Sequence, residues 1–359
     1  MSTVTASPVI SESDVTFRVE DSRGDLSGVR LCQEVQRPRI GPAFTRSPDG
    51  GYWRLRWARP EVDRMEYMLE LTDVEGSSRL TFDPANPLLA PGPFGDKSVI
   101  EWPEYRAPSW LEGARFDDPG PIVSGSVECP PLRTSLPMLL WSSHGTDGRQ
   151  PLPLLVAHDG PEFAEYSKLL MMLDRKTTEG ELPPMRAALI RPVERNEIYS
   201  ASAAYGRTLA HNILVWLNRY APTPGGRRFR VGMGASLGGL AMLHAHRTYP
   251  ASFGGLFLQS GSFFRQRFDK HEWGFPRFRR ISRFVGRVLT AEHWSHPIPV
   301  TLTCGTIEEN LANNRAVHDA LAAQGYDVTL VVNRDGHNWV GWRDTFDPHL
   351  VRLLQRMWS

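Results

Sequence analysis

The sequence predicts an α/β protein with two domains: an all-β sandwich over residues 16–120, then an α/β domain over 121–359 with a mostly parallel sheet covered on both faces. Three observations predict it. At 359 residues the chain is longer than one hydrophobic core usually serves. Before about residue 120, short runs alternate apolar and polar side chains between turn clusters. After it, apolar strand-like runs alternate with stretches of helical spacing, the rhythm of a parallel sheet with crossover helices.

Residues 1–15 are polar and lack periodicity, so a disordered tail is expected there. Tyr52–Trp57 and Met65–Leu71 alternate as half-buried strands do, and Ser47-Pro48-Asp49-Gly50-Gly51 is a turn cluster. Pro84, Pro87, Pro91 and Pro93 mark an irregular stretch, and the Pro-rich passage 103–121 reads as the linker. In the second domain Pro153–His158, Ala187–Ile190, Arg230–Met233, Gly255–Leu258, Val300–Cys304 and Val328–Val332 read as strands. Helices are expected over about 206–220, from 237 to 247, 309–323 and 347–357.

Composition bounds the function class. Hydrophobic residues make up 41% and charged residues 23%, ordinary for a globular protein, and the formal charge is +1. Global electrostatics therefore favour neither nucleic acid nor an anionic membrane. No apolar run reaches the roughly 20 residues of a membrane span. Met1–Val15 shows no basic stretch followed by an apolar one, and three scattered cysteines, Cys32, Cys129 and Cys304, suit a reducing compartment. A cytoplasmic protein is expected, with no nucleic-acid or membrane partner; the sequence leaves the oligomeric state open.

Chemistry concentrates in Gly234-Ala235-Ser236-Leu237-Gly238, which fits G-x-S-x-G. A strand precedes it and a helix-forming segment follows, the context in which a sharp turn holds a serine hydroxyl over a sheet edge. Ser236 is the candidate nucleophile. In the chain order serine, acid, histidine, the base is His337, in Asp335-Gly336-His337 after the last strand. The acid is Glu308, after the strand ending at Cys304, with Glu309 and Asp335 as rivals. The oxyanion hole needs two backbone N–H groups. One is expected from Leu237, the other from the 159–163 loop, where Pro161 has none and Gly160 or Glu162 must supply it. No metal or organic cofactor is expected for this chemistry.

Gly232–Leu240, Gln259-Ser260-Gly261-Ser262-Phe263-Phe264, Gly305–Asn310 with Asn314-Arg315, and His337-Asn338-Trp339 with Trp342-Arg343 together resemble the enterochelin (enterobactin) esterase branch of the esterase D-type α/β-hydrolases. The resemblance covers roughly 121–359. Residues 16–120, with Asp83-Pro84-Ala85-Asn86-Pro87 and Phe94-Gly95-Asp96-Lys97-Ser98, look like that family's early-set, immunoglobulin-like sandwich. The resemblance implies an α/β-hydrolase fold and hydrolysis of esters in a cyclic tri-serine catecholate siderophore, releasing its iron. It also places Arg195 and Glu197 near the active-site mouth. Between 263 and 288 eight basic residues stand against two acidic ones, interleaved with aromatics. This insertion reads as a lid for an anionic aromatic ligand, with Phe263, Phe264, Arg265, Arg267, Trp273 and, beyond it, Trp339 as candidate contacts. Two other outcomes remain open: a carbohydrate or hydroxycinnamate (feruloyl or acetyl) ester hydrolase, and an inactive binding protein on the same fold.

Overall fold

The computed structural model describes residues 8–35, 39–113 and 120–358. The chain forms two compact units. The first comprises Met1–Ala107 with Gly305–Glu308 and Arg334–Gly341; the second holds Pro108–Cys304, Glu309–Asn333 and Trp342–Ser359. The first boundary thus falls earlier than the expected residue 120, and two short C-terminal segments join the N-terminal unit. Residues 114–119 of the expected linker and 1–7 of the expected tail lie outside the described residues.

The first unit is built from two antiparallel sheets. One orders Val9–Ile10, Asp14–Glu20, Tyr52–Ala58 and Thr45–Arg46. The other orders Ile40–Ala43, Leu26–Gln33, Arg64–Asp73, Lys97–Glu101 and Leu89–Ala90, with Ser78–Thr81 also paired to Arg64–Asp73. Residues 8–15 are therefore not a structureless tail. Val9 and Ile10 pair with Thr16 and Val15 across the polar turn at 11–13, a two-residue strand too short to show a period. Alternation works as read in Tyr52–Ala58: Trp53, Leu55 and Trp57 are buried beside Val15, Phe17, Tyr67 and Ile100. The Asp83–Pro87 motif locks that core: the Tyr67 hydroxyl donates to Asp83 Oδ2 at 2.8 Å, and Asn86 Nδ2 donates to the Val99 carbonyl at 2.7 Å.

The second unit is organised by an eight-stranded sheet, whose strands are numbered here in chain order. They are β1 (Ile122–Cys129), β2 (Thr134–Ser142), β3 (Leu154–His158), β4 (Arg186–Ile190), β5 (Arg230–Ala235), β6 (Gly255–Gln259), β7 (Pro299–Gly305) and β8 (Asp327–Asn333). Their spatial order is β1-β2-β4-β3-β5-β6-β7-β8. Pairings β4–β3, β3–β5, β5–β6 and β6–β7 are parallel; β1–β2 and β2–β4 are antiparallel. β3 to β6 are buried along their whole length, apart from Arg230, as expected of strands covered on both faces. The β1–β2 hairpin was not legible in advance, because Pro137 lies inside β2 and proline argues against an inner strand. The 206–220 helix forms with one wide turn, Leu209–Ile213, in its middle. No helix among the described residues is long and apolar enough to cross a membrane.

Three buried histidines should make this unit acid-sensitive. His158 Nδ1–H donates to the Gly238 carbonyl at 2.9 Å, and its Nε2 accepts from the Tyr205 hydroxyl at 2.6 Å, so the neutral ring satisfies both contacts. Burial pushes His158 down to about 3 from the usual 6.5, and does the same to His246. Burial, with Arg287 and Arg280 nearby, takes His244 to about 4. A histidine depressed in this way contributes stability that is complete above pH 6.5 and is lost as pH falls toward its folded value. Between pH 7 and pH 5 each should cost about 2 kcal/mol. Urea titrations at the two pH values should show this loss, and His246→Gln should reduce it.

Candidate active site

In the second unit, β5 runs into the helix Leu237–Thr248 through Ser236, whose φ of 55° and ψ of −123° put a non-glycine residue in a strained turn. The turn is tight because neighbouring backbones nearly touch. A Cβ on Gly234 would lie 2.5 Å from the Gly238 carbonyl carbon, so only glycine fits there. Backbone bonds fix the corner: Ser236 N–H donates to the Gln259 carbonyl at 2.8 Å, and Ser262 N–H donates to the Ser236 carbonyl at 3.1 Å. Ser236 is partly exposed, and its Oγ lies 3.0 Å from Ser262 Oγ. Ser262 lies within the Gln259–Phe264 motif, where nothing in the spacing singles it out.

Leu237 opens that helix, where the first N–H groups lack intrahelical acceptors. The loop after β3 begins at Asp159, in left-handed backbone with φ 49°, and Gly160 starts the short helix Gly160–Tyr166. Gly160 is packed against the backbone of Leu189, and Glu162, in the first turn, has a buried carboxylate oxygen with no hydrogen-bond partner among the described residues. Arg195 grips this loop bidentately, Nε to Asp159 Oδ1 at 2.8 Å and Nη2 to Asp159 Oδ2 at 2.7 Å. His158, through Gly238, ties the end of β3 to the first turn of the serine helix. Neither His158 nor Asp159 carried a sequence signal beyond lying at the end of an apolar strand.

The arginine-rich insertion divides in two. Phe263 is fully buried and Phe264 stacks on Phe278, so both are core residues and not ligand-facing aromatics. Residues 278–290 form a helix that buries Phe278, Ile281, Phe284, Val285 and Val288. It is a core helix with arginines on its outer face, so the lid reading fails for this half. Glu197 is engaged by this segment: it accepts from Arg280 Nη1 at 2.8 Å and pairs with Arg277. Burial raises the Glu197 carboxyl, and the two arginines outweigh it, leaving its pKa lowered. The rest is more open. Trp273 is 57% exposed, Arg267 is exposed, and Arg265 is half-buried with its guanidinium 4.3 Å from the Phe268 ring centroid. His271 Nε2 lies 3.1 Å from Glu309 Oε2, so Glu309 is partnered by His271. With Glu272 these two bring ligating atoms within 4.8 Å of one another.

In the first unit the Gly305–Glu308 and Arg334–Gly341 segments come together. His337 Nδ1 is 2.7 Å from Glu308 Oε2, and Glu308 Oε1 accepts from Gly305 N–H at 2.6 Å. The Glu308 side chain is almost wholly buried, while that of His337 is 37% exposed. A buried carboxylate on Nδ1 fixes the ring and leaves Nε2 directed away from Glu308. Of the three candidate acids, Glu308 makes this contact. Asp335 instead accepts from Gly336 N–H at 2.6 Å and Asn338 Nδ2 at 2.7 Å. Trp339 follows directly and is half-buried.

Residues 136–353 match the profile of a family described as "Putative esterase". The chain belongs to this esterase family. It is 27% identical over 266 residues to an iron(III) enterobactin esterase of Dickeya dadantii, covering 67% of this chain and 60% of that protein. It is 24% identical over 309 residues to the iron(III) enterobactin esterase of Escherichia coli O6:H1, covering 83% of this chain and 73% of that one. The chain thus spans about three fifths of the length of the Dickeya relative. The solved enterobactin esterase of Shigella flexneri, crystallised in the presence of enterobactin, superposes with a TM-score of 0.77 at 19% identity, covering 98% of this chain and 94% of that one. The ferric enterobactin esterase of Salmonella typhimurium gives 0.78 at 18% identity, covering 99% and 97%. These likenesses agree with the strand order in assigning the second unit the α/β-hydrolase fold, with a separate all-β region before it.

Proposed function

We propose that the protein is a serine esterase acting on catecholate siderophores of the enterobactin type, with ferric iron entering as part of the substrate. The observation that carries the catalytic part is the strained Ser236 corner between β5 and its helix. The clasp of His337 by buried Glu308 supports it. Ser236 Oγ attacks the ester carbonyl while His337 Nε2 takes its proton. The oxyanion is held by the backbone N–H of Leu237 and one from Gly160 or Glu162. The tetrahedral intermediate collapses, His337 gives the proton to the leaving alkoxide, and an acyl-serine remains. Water, deprotonated by His337, then releases the acid product and restores Ser236.

The substrate class is supported by the relatives, which are iron(III) enterobactin esterases, and by exposed Arg267 and Trp273 with half-buried Arg265. Cations and aromatic planes suit an anionic ferric catecholate. Incubating the protein with a cyclic tricatecholate trilactone, with and without ferric iron, should release linear dihydroxybenzoyl-serine units, read by mass spectrometry. Cleavage of feruloyl or acetyl sugar esters with the trilactone left intact would overturn the siderophore assignment and keep the esterase one.

A further inference from the structure

We infer that the N-terminal sandwich is part of the catalytic apparatus, with Arg64 as the positioning residue for the segments that present Glu308 and His337. This rests on the reading of His337 as the base. The acid and base segments belong to the same compact unit as residues 1–107. The acid segment is held first by Thr306, whose Oγ1 donates to the Glu61 carbonyl at 3.0 Å. Its next residue, Ile307, packs on the sandwich core. The base segment is held at its start: Asp63 N–H donates to the Arg334 carbonyl at 2.8 Å, and Arg334 Nε donates to Asp63 Oδ1 at 2.9 Å. Contacts from Glu61 and Asp63 therefore fix both segments.

Arg64 reaches further in. It is only 2% exposed, opens the strand Arg64–Asp73, and donates from Nη1 to Asn338 Oδ1 at 3.3 Å. The same nitrogen stands 3.9 Å from Asp335 Oδ2. Asp335 and Asn338 flank Gly336 and His337, and each also bonds the backbone of the segment, Asp335 at Gly336 N–H and Asn338 at Gly341 N–H. The guanidinium thus anchors both ends of the turn that carries the histidine. The charges around it are Glu66, 3.1 Å from Nη1, Glu101, 4.0 Å from Nε, and Asp335. Burial pushes the Asp335 carboxyl up to about 7 while Arg64 pulls it down. Without Arg64 the Asp335 carboxyl would rise further, and the turn would lose the cation that faces it.

The test compares Arg64→Met, Arg64→Lys and Asp335→Asn with the parent and with Ser236→Ala and His337→Ala. Activity is read on p-nitrophenyl butyrate and folding by circular dichroism. Arg64→Met is expected to lower kcat by about 10- to 100-fold with KM within about twofold, because sub-ångström displacement of a base affects turnover more than binding. Arg64→Lys should restore part of kcat. The low-field proton resonance of His337 Nδ1–H should broaden or shift in Arg64→Met, which loss of stability alone would not produce in folded protein. Folded Arg64→Met with parental kcat and an unchanged resonance overturns the inference. Should Arg64→Met not fold, Asp335→Asn carries the test, and parental kcat there overturns it. Loss of activity in Ser236→Ala and His337→Ala alongside parental Arg64 variants sinks this inference alone. Survival of activity in the Ser236 and His337 variants sinks the catalytic reading beneath it.

Discussion

Replacing Ser236 with alanine should leave a folded protein whose turnover of p-nitrophenyl butyrate falls by roughly 10⁴-fold or more. On the proposed mechanism no acyl-enzyme would form without Oγ, and any residual rate would come from binding and oxyanion contacts alone. The fold should barely notice. The side chain's hydrogen bond is to Ser262 Oγ, and the corner is held by backbone bonds to Gln259 and Ser262 that alanine keeps. Stability should stay within about 1 kcal/mol. Labelling by a fluorophosphonate probe should vanish with activity. Full turnover in Ser236→Ala would remove the serine mechanism altogether. Ser262→Ala, which takes away only a neighbour, should cost far less, so the pair of variants separates nucleophile from support.

Gly305→Ala is the second large effect. Gly305 ends β7 where two segments press on it. An added methyl would collide with the Asp335 carbonyl oxygen, lie 2.9 Å from that carbonyl's carbon and 3.0 Å from Glu308 Oε1. The atoms in the way are backbone close to His337 and the carboxylate of Glu308, so relief must displace one or both. Overpacking of this kind costs about 1–3 kcal/mol or more. Turnover should fall by about 100-fold as the Glu308–His337 hydrogen bond loses its alignment. Urea denaturation and kcat on the same preparation read the two effects together. Parental kcat in a destabilised variant would mean that the pair takes no part in turnover.

How much was legible in the sequence follows from how local each determinant is. The Ser236 corner was legible because a strained strand-to-helix turn demands small residues at fixed offsets along the chain. The parallel sheet was legible because strands covered on both faces need continuous apolar runs. Choosing Glu308 over Glu309 and Asp335 was a matter of position; the hydrogen bond that distinguishes them depends on where the imidazole folds back, which spacing does not determine. Phe263 and Phe264 looked like ligand contacts because aromatic residues interleaved with arginines give the same pattern on a lid and on an amphipathic core helix. Arg64 carried no signal at all. Its partner Asn338 lies 274 residues away, and an arginine just ahead of the alternating run Met65–Leu71 reads as a solvent-facing residue.

The composition of the first unit bears on modularity. The polypeptide passes between the two units five times, at 107, 304, 308, 333 and 341. A single protease cut near residue 107 would leave four covalent connections in place, so nicked protein need not separate. A sandwich transplanted from a relative would meet the 305–308 and 334–341 segments, encoded some two hundred residues downstream. Substitutions in these three distant stretches meet in one packed unit, and recombination at the apparent domain border would separate partners that pack together.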